Sequence, residues 1–378
     1  MKKIAMILHT FGIEYDDRIR KEILSVKKLY PDIDFHIYAI LESKANENGD
    51  FISSYGVKYT IPLLKSRLKY RQGGHLLQKA WDFYKTVRPE LDDYDAIWCA
   101  DVQPLFFLLL CRKPIIWDLH EIPEIFLKNS VTKFILRFLM NRCKVVIHAN
   151  AQRIQYLKDH HAIDKKNHHK VIRNYPDEAM AKKTDEVYDK FAKWLDGSEC
   201  VYLQCATDFK RCQEESFEGI MKINGLKAVA VGNYNQETIN ESRKKYGAAF
   251  DKKFFFTGLV PQEMTPHYIR SCTTSLVLYR NTSANNYYCE PNRMFQSIIN
   301  GCPVVVGNNP PMRELVEEYN FGIVIPSDGS SAKDIVEGIK NVSKNRDKIL
   351  QSINANKKKI LWDSQMDEII EIISQLFD

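Results

Sequence analysis

The sequence predicts an α/β protein built from two doubly wound parallel-sheet domains facing a central cleft, and three observations carry that prediction. The chain has 378 residues, too many for one ordinary hydrophobic core and comfortable for two of similar size. Short apolar runs alternate with amphipathic stretches from end to end, which implies parallel strands joined by helical crossovers. Near the middle the alternation stops and then starts again.

Taken in order, the runs Ile4–Leu8, Phe35–Ile40, Val57–Ile61, Ala96–Ala100, Ile115–Asp118 and Val145–Ala149 read as strands. Most lack period-two alternation, as strands covered on both faces should. Helical stretches such as Asp17–Tyr30 and His75–Thr86 lie between them. A second series follows: Val201–Gln204, Lys227–Val231, Phe254–Thr257, Ser275–Tyr279, Val304–Val306 and Ile323–Ile325. Asn174, Pro176 and Asp177 interrupt the pattern between the two series, so the expected domains are 1–172 and 173–360. The charged end breaks at Trp362–Asp363, and 361–378 is expected to be a helix packing back on the first domain.

Bulk properties narrow the function. The formal charge of +6, from 54 basic and 48 acidic residues, fits anionic substrates or a membrane surface and is too small to argue for nucleic acid. Nine cysteines stand singly, with no C-x-x-C pair, which fits a reducing compartment. The apolar start, Met1–Leu8, is too short for a secretory signal, and the longest apolar run, Leu105–Cys111, is far too short to span a bilayer. A cytoplasmic protein, at most peripheral on the inner face of the membrane, is expected. No G-x-G-x-x-G and no P-loop pattern is present. Asp93–Tyr94–Asp95 has metal-binding spacing but precedes a strand, away from the cleft. His160–His161 with His168–His169 lacks a cysteine or carboxylate to complete a metal site.

One segment is chemically specific. Pro291 suits the first turn of a helix; Met294, Phe295, Ile298 and Ile299 give it a buried stripe; Gly301 closes it as a left-handed cap; and Pro303 leads into a buried strand. Such a helix start leaves the amides of Asn292 and Arg293 facing the cleft, ready for phosphate.

Residues Glu290–Val306 resemble the nucleotide-binding signature of family-four GT-B glycosyltransferases: Pro-Asn, a basic residue, an apolar pair, then a helix ending in Gly-x-Pro-Val. Asn308–Pro311 with Glu314–Val316, Asn320–Asp328, Phe256–Pro261 and Val229–Asn233 match further family marks in register. The resemblance implies two Rossmann-like domains and transfer of a sugar from a nucleotide-diphosphate donor to an acceptor hydroxyl, with retention and no required metal. It assigns Arg211 to the departing diphosphate, helped by Lys210 and the amides of Asn292–Met294. In the family two glutamates bracket this helix start; here those positions are Tyr288 and Gln296, with Glu290 displaced from the first. Gln296 can still hydrogen-bond a ribose diol, as a neutral amide. Cys205 and Thr274 replace a family glycine and aspartate. These departures raise an alternative, a non-catalytic GT-B subunit that binds an acceptor or supports a partner enzyme. A sugar-nucleotide epimerase is disfavoured because no acid–base constellation is found.

In the first half, Asp118–Leu119–His120–Glu121 follows a strand and resembles the family's Asp-x-His-Glu segment, whose histidine contacts the donor sugar. His120 and Arg211 are therefore the expected catalytic residues, with Asp118, Glu121 and Gly12 on the acceptor or sugar side and Glu124 a weaker candidate. Expected partners are a nucleotide sugar and a glycan, lipid-linked or protein-linked acceptor. An anionic membrane is added by Lys65, Arg67, Lys69 and Arg71 and by the mixed basic and apolar stretch Lys133–Lys144.

Overall fold

The computed structural model describes residues 2–44, 47–65, 76–164, 168–181, 189–204 and 209–377. The chain divides into two compact units, Met1–Arg173 with Gln365–Asp378, and Asn174–Ser364.

The first unit begins with β1 (Lys2–Thr10), α1 (Asp17–Leu29), β2 (Ile33–Leu41), β3 (Gly49–Ile52), β4 (Lys58–Ile61) and α2 (Leu76–Val87). It continues through β5 (Ala96–Ala100), α3 (Leu105–Leu110), β6 (Ile115–Leu119), α4 (Ser130–Arg142), β7 (Val145–His148), α5 (Ala151–Asp159) and β8 (His169–Val171). The strands form one sheet in the order β3-β4-β2-β1-β5-β6-β7-β8, parallel except where β3 meets β4. Every residue of β5, β6 and β7 is buried, which is why their sequences run apolar without alternating.

The second unit contains α6 (Asp189–Leu195), β9 (Cys200–Gln204), α7 (Gln213–Met221), β10 (Lys227–Val231), α8 (Gln236–Tyr246), α9 (Ala248–Lys253), β11 (Phe254–Gly258) and α10 (Thr265–Arg270). After these come β12 (Thr274–Val277), α11 (Ala284–Tyr287), α12 (Asn292–Ile299), β13 (Val304–Val306), α13 (Pro310–Tyr319), β14 (Gly322–Val324) and α14 (Ala332–Asn356). Its sheet is parallel throughout, in the order β11-β10-β9-β12-β13-β14. Phe217, Phe250 and Phe254 pack in one core cluster, Met294, Phe295 and Ile298 in another with Phe321. The last helix, α15 (Met366–Phe377), packs on α1, β7 and β8 of the first unit.

Two strands escape the sequence pattern. β3 alternates exposed with half-buried residues, and β8 is three residues long and half-buried throughout; both lie at sheet edges, where no continuous apolar run is needed. Pro291 is the N-cap of α12 rather than a residue of its first turn. Gly301 follows the C-cap Asn300 at φ +78°, as a left-handed helix stop requires. Among the described residues all eight cysteines are free and buried, and no helix is long and apolar enough to cross a membrane.

Candidate active site

In the second unit the strand order reverses between β9 and β12, the place where doubly wound sheets bind ligands. A cavity of about 460 Å3 opens there. Gln204 ends β9, Val231 and Gly232 end β10, Tyr279 follows β12, and Pro291, Asn292, Arg293 and Gln296 come from the start of α12. Arg211 enters from the 3-10 turn Phe209–Arg211. Five of the residues singled out in the sequence therefore line one cavity: Arg211, Pro291, Asn292, Arg293 and Gln296.

Arg211 is held in place from two sides. Its guanidinium lies 4.3 Å from the Tyr279 ring centroid and pairs with no described carboxylate. Its turn is anchored by Arg280, whose Nε donates to the Phe209 carbonyl at 3.0 Å and whose amide donates to the Lys210 carbonyl at 2.8 Å. Arg280 also pairs with Glu215. The next residue, Cys212, adopts φ 54°, a left-handed conformation that costs a non-glycine residue on the order of 1–3 kcal/mol and tends to occur at functional sites. Lys210 is exposed and does not line the cavity. Tyr279 and Arg280 were not singled out in the sequence; they look there like the end of an ordinary strand.

Arg293 is not a free cation. It is buried, and its two Nη groups donate to the carbonyls of Gln204 and of Leu278, the latter at 3.1 Å, tying together the ends of β9 and β12. What the start of α12 offers is backbone. The amides of Asn292 and Arg293 have no acceptor among the described residues, whereas the Met294 amide donates to the Pro291 carbonyl at 2.9 Å and the Met294 side chain is core. Two free amides at a helix N-terminus suit a phosphate, so the expected trio of donors shrinks by one. Gln296 is 6% exposed, and its Oε1 has no hydrogen-bond partner among the described residues. A buried acceptor of this kind costs about 1–3 kcal/mol until something donates to it.

Tyr288 and Glu290 do not line this cavity: Tyr288 caps α11, and Glu290 is buried. Thr274 spends its hydroxyl on the Pro303 carbonyl at 3.0 Å. Asp328, in the closing family mark, accepts the Asn281 amide at 2.8 Å and the Ser330 amide at 3.1 Å. Burial pushes its pKa up, but the Ser330 and Asn281 donors outweigh that and hold it below the usual carboxylate range. It clamps the loop after β12. Cys205 lies outside the described residues.

In the first unit the order reverses between β1 and β5, and charged groups gather at the carboxyl ends of the strands. His120 Nε2 lies 2.8 Å from Asp118 Oδ2, its Nδ1 3.5 Å from Asp101 Oδ2, and its amide donates to Asp101 Oδ1 at 3.1 Å. Burial alone would lower its pKa; Asp118 and then Asp101 outweigh burial and raise it to about 10. His120 is an imidazolium with its ring N–H groups engaged, and no free base. Asp118 is wholly buried and takes Arg18 in two bonds, of 2.9 and 2.8 Å. Burial pushes Asp118 up, but Arg18 and His120 hold it well below the usual range. Glu22 sits 3.0 Å from Arg18 Nε, yet burial and Asp118 push its pKa well up, so the charge of the trio rests on Asp118.

Asp118 therefore positions His120 and Arg18 and is not exposed to a ligand, a correction to its expected role. Gly12 is likewise buried with an extended φ of −173°, and a Cβ there would lie 3.0 Å from the Tyr15 ring and 3.1 Å from Ser43 Oγ. Its smallness serves packing. Glu121 is exposed. Sequence reasoning missed His9, Glu42, Lys79 and Asp101. His9 pairs with Glu42, and Lys79 Nζ approaches His9 Nε2 at 3.4 Å. Asp101, at φ 57°, is a second left-handed non-glycine residue beside a site.

The signals set aside in the sequence have structural explanations. Asp95 accepts the Lys3 amide at 2.7 Å at the amino end of the sheet. His148 and His169 share a contact of 3.0 Å, and burial lowers both pKa values. Among the described residues no group of His, Cys, Asp and Glu could hold a metal. Lys65 is described, whereas Arg67, Lys69 and Arg71 lie outside the described residues. A larger cavity of about 730 Å3 lies at the amino ends of β5 and β6, between Arg88 and Lys113, away from both charged clusters.

No protein-family model matches the chain, and no curated protein matches it significantly. Solved structures do. HepE of Anabaena in complex with UDP superposes with a TM-score of 0.73 at 15% identity, covering 99% of this chain and 100% of its own. Sucrose-phosphate synthase of Thermosynechococcus elongatus gives 0.77 at 11% identity, covering 100% and 99%. An α,α-trehalose 6-phosphate synthase of Burkholderia multivorans gives 0.73 at 11%, covering 100% and 99%. The chain has the GT-B fold of these glycosyltransferases.

Proposed function

We propose that the protein is a retaining glycosyltransferase that moves a sugar from a nucleoside diphosphate donor to an acceptor hydroxyl. The observation that carries the proposal is the cavity of the second unit, where Arg211, the two free amides of α12 and the unpartnered Gln296 Oε1 line one space. In this reading the amides and Arg211 hold the diphosphate and stabilise the charge it gains as the glycosidic bond breaks, without calling for a metal. Gln296 accepts from a ribose hydroxyl. That HepE was solved with UDP and with UDP-glucose supports a uridine donor.

On the acceptor side, Asp101 offers a carboxylate to sugar hydroxyls, and the charged ring of His120 holds that carboxylate in place. The proton of the acceptor hydroxyl passes to the departing diphosphate as the new glycosidic bond forms. The products proposed are cell-surface polysaccharide or glycoconjugate, made at the inner face of the membrane. The basic and apolar surface of α4 supports that placement.

UDP should raise the melting temperature, Arg211→Ala should remove most of the shift, and donor hydrolysis should persist in EDTA. A protein that binds no nucleotide or nucleotide sugar at millimolar concentration would sink the proposal. A second reading, a non-catalytic GT-B subunit, is favoured by Gln296 and Tyr288 at positions where the family carries glutamates. UDP binding without donor hydrolysis or transfer, in wild type and in Gln296→Glu alike, would decide for it.

A further inference from the structure

We propose that the first unit carries a ligand site of its own, away from His120 and Asp101, that takes a small phosphorylated molecule with a flat ring: a nucleotide or a sugar phosphate. The site is the cavity of about 730 Å3 at the amino ends of β5 and β6, inside the roughly 300–1,000 Å3 of small-molecule sites. Its wall comes from the end of α2, the 3-10 turn Arg88–Asp93 and the connection from α3 to β6. The five residues of β5 separate it from Asp101, a distance of about 16 Å along the strand. The inference stands on this cavity and does not rest on the glycosyltransferase reading.

Three observations name the ligand. The first is charge. Lys85, Arg88, Arg112 and Lys113 line the cavity, and the one carboxylate among the lining residues is Asp92. Among the described residues Lys85, Arg88 and Arg112 pair with no acidic group, while Lys113 Nζ donates to the Asp92 carbonyl at 3.0 Å. Such a surplus of positive charge suits a phosphate monoester, which carries nearly two negative charges at neutral pH, better than a single carboxylate. Guanidinium groups also present paired N–H donors that match phosphate oxygens.

The second observation is that competing acceptors are already taken. Helix α3 ends at this wall, and the last carbonyls of a helix carry negative charge that would repel an anion. Arg142 arrives from α4 and engages two of them: its Nε donates to the Leu108 carbonyl at 3.1 Å and its Nη2 to the Cys111 carbonyl at 2.8 Å. Glu90, in the same turn as Arg88, accepts the Tyr38 hydroxyl at 2.6 Å and does not line the cavity. The third is an aromatic surface. Trp81 is 42% exposed, with Tyr84 stacked on it at 5.8 Å and Phe106 edge-on at 5.0 Å. An indole fixed by two rings and still open to solvent gives a base or a sugar ring a face to lie on.

The test titrates the full-length protein with AMP, glucose 6-phosphate and inorganic phosphate and reads the protection of tryptophan fluorescence from acrylamide. Trp98, Trp117 and Trp362 are at most 3% exposed, so subtracting the Trp81→Phe variant isolates the signal of Trp81. AMP or glucose 6-phosphate should shield Trp81 at millimolar concentration or below, and Arg88→Ala combined with Arg112→Ala should weaken that binding by about tenfold or more. Both arginines are exposed, so the double variant should melt with the wild type, showing that it is folded. Shielding by AMP alone identifies a nucleotide and shielding by glucose 6-phosphate alone a sugar phosphate; either supports the site. No shielding by any probe, shielding undiminished in the double variant, or inorganic phosphate bound as tightly as both esters overturns the inference. Shielding of Trp81 in a protein whose melting temperature does not respond to UDP keeps this site and removes the donor reading alone. A response to UDP with no shielding of Trp81 does the reverse.

Discussion

His120 keeps its proton in the folded protein because two carboxylates face its ring, Asp118 at 2.8 Å and Asp101 at 3.5 Å. Its pKa rises from 6.5 to about 10, so the folded state holds this proton more tightly than the unfolded chain. A raised folded-state pKa contributes stability that is fully present below 6.5 and is lost as pH climbs toward 10. Denaturant titrations of wild type and His120→Gln between pH 6 and pH 10 (roughly the span of the shift) should therefore converge as pH rises, wild type losing the more. Parallel curves would show that the ring is not charged. The identity of His120 was legible in the sequence, because a strand end precedes it. The burial of Asp118 was not, since it follows from Arg18, a hundred positions earlier in the chain. Arg293 shows the same limit: as a residue type it promises a free cation, and only the approach of Gln204 and Leu278 turns it into a tie between strands. His9, Glu42 and Lys79 have no common motif at all; the sheet alone brings them together.

At the scale of elements, strands buried on both faces were plain in the sequence because nothing but an apolar run survives there. Edge strands such as β3 carry no such signature. Helix α12 was legible down to its Gly301 stop, since the left-handed backbone and the apolar stripe each demand particular residues. Helix α4 was legible only as a mixture of basic and apolar residues, and the structure sorts them. Leu136, Leu139 and Met140 are buried, while Val131, Phe134 and Phe138 are exposed on the same helix as Lys133 and Arg137. An exposed apolar row flanked by cations is the arrangement that docks on anionic lipid, each basic side chain near the surface adding about 1 kcal/mol. Vesicles containing phosphatidylglycerol should carry the protein upward on flotation, and pure phosphatidylcholine vesicles should carry much less. Phe134→Glu, which adds charge without touching the core, should abolish co-flotation. Flotation indifferent to both lipid charge and Phe134→Glu would rule out docking through α4.

At the scale of the whole molecule, the two units have their own cores, yet the first is not continuous in sequence. The chain returns to it at Gln365, whose side chain accepts the Arg173 amide at 2.6 Å and donates to the Arg173 carbonyl at 3.0 Å. Helix α15 then buries Ile369, Ile372, Ile373 and Leu376, each at most 2% exposed, and Lys2 Nζ lies 3.7 Å from the Phe377 ring centroid. Fully burying one aliphatic side chain contributes roughly 1.5–3 kcal/mol, and a domain has only about 5–15 kcal/mol in total. Ending the chain after Ser364 should thus unfold or severely destabilise the first unit. Arg211, Asn292, Arg293 and Gln296 all belong to Asn174–Ser364, so the cavity they line should persist. The expected outcome is uneven: limited proteolysis should degrade the Met1–Arg173 part of the truncated protein, while UDP still protects the remainder and still raises its melting temperature. With two cores the unfolding need not be two-state, and calorimetry should show the lower transition move while the UDP-sensitive one stays. Loss of UDP binding on truncation would mean that the cavity of the second unit depends on the first unit, and that the two cores do not stand independently.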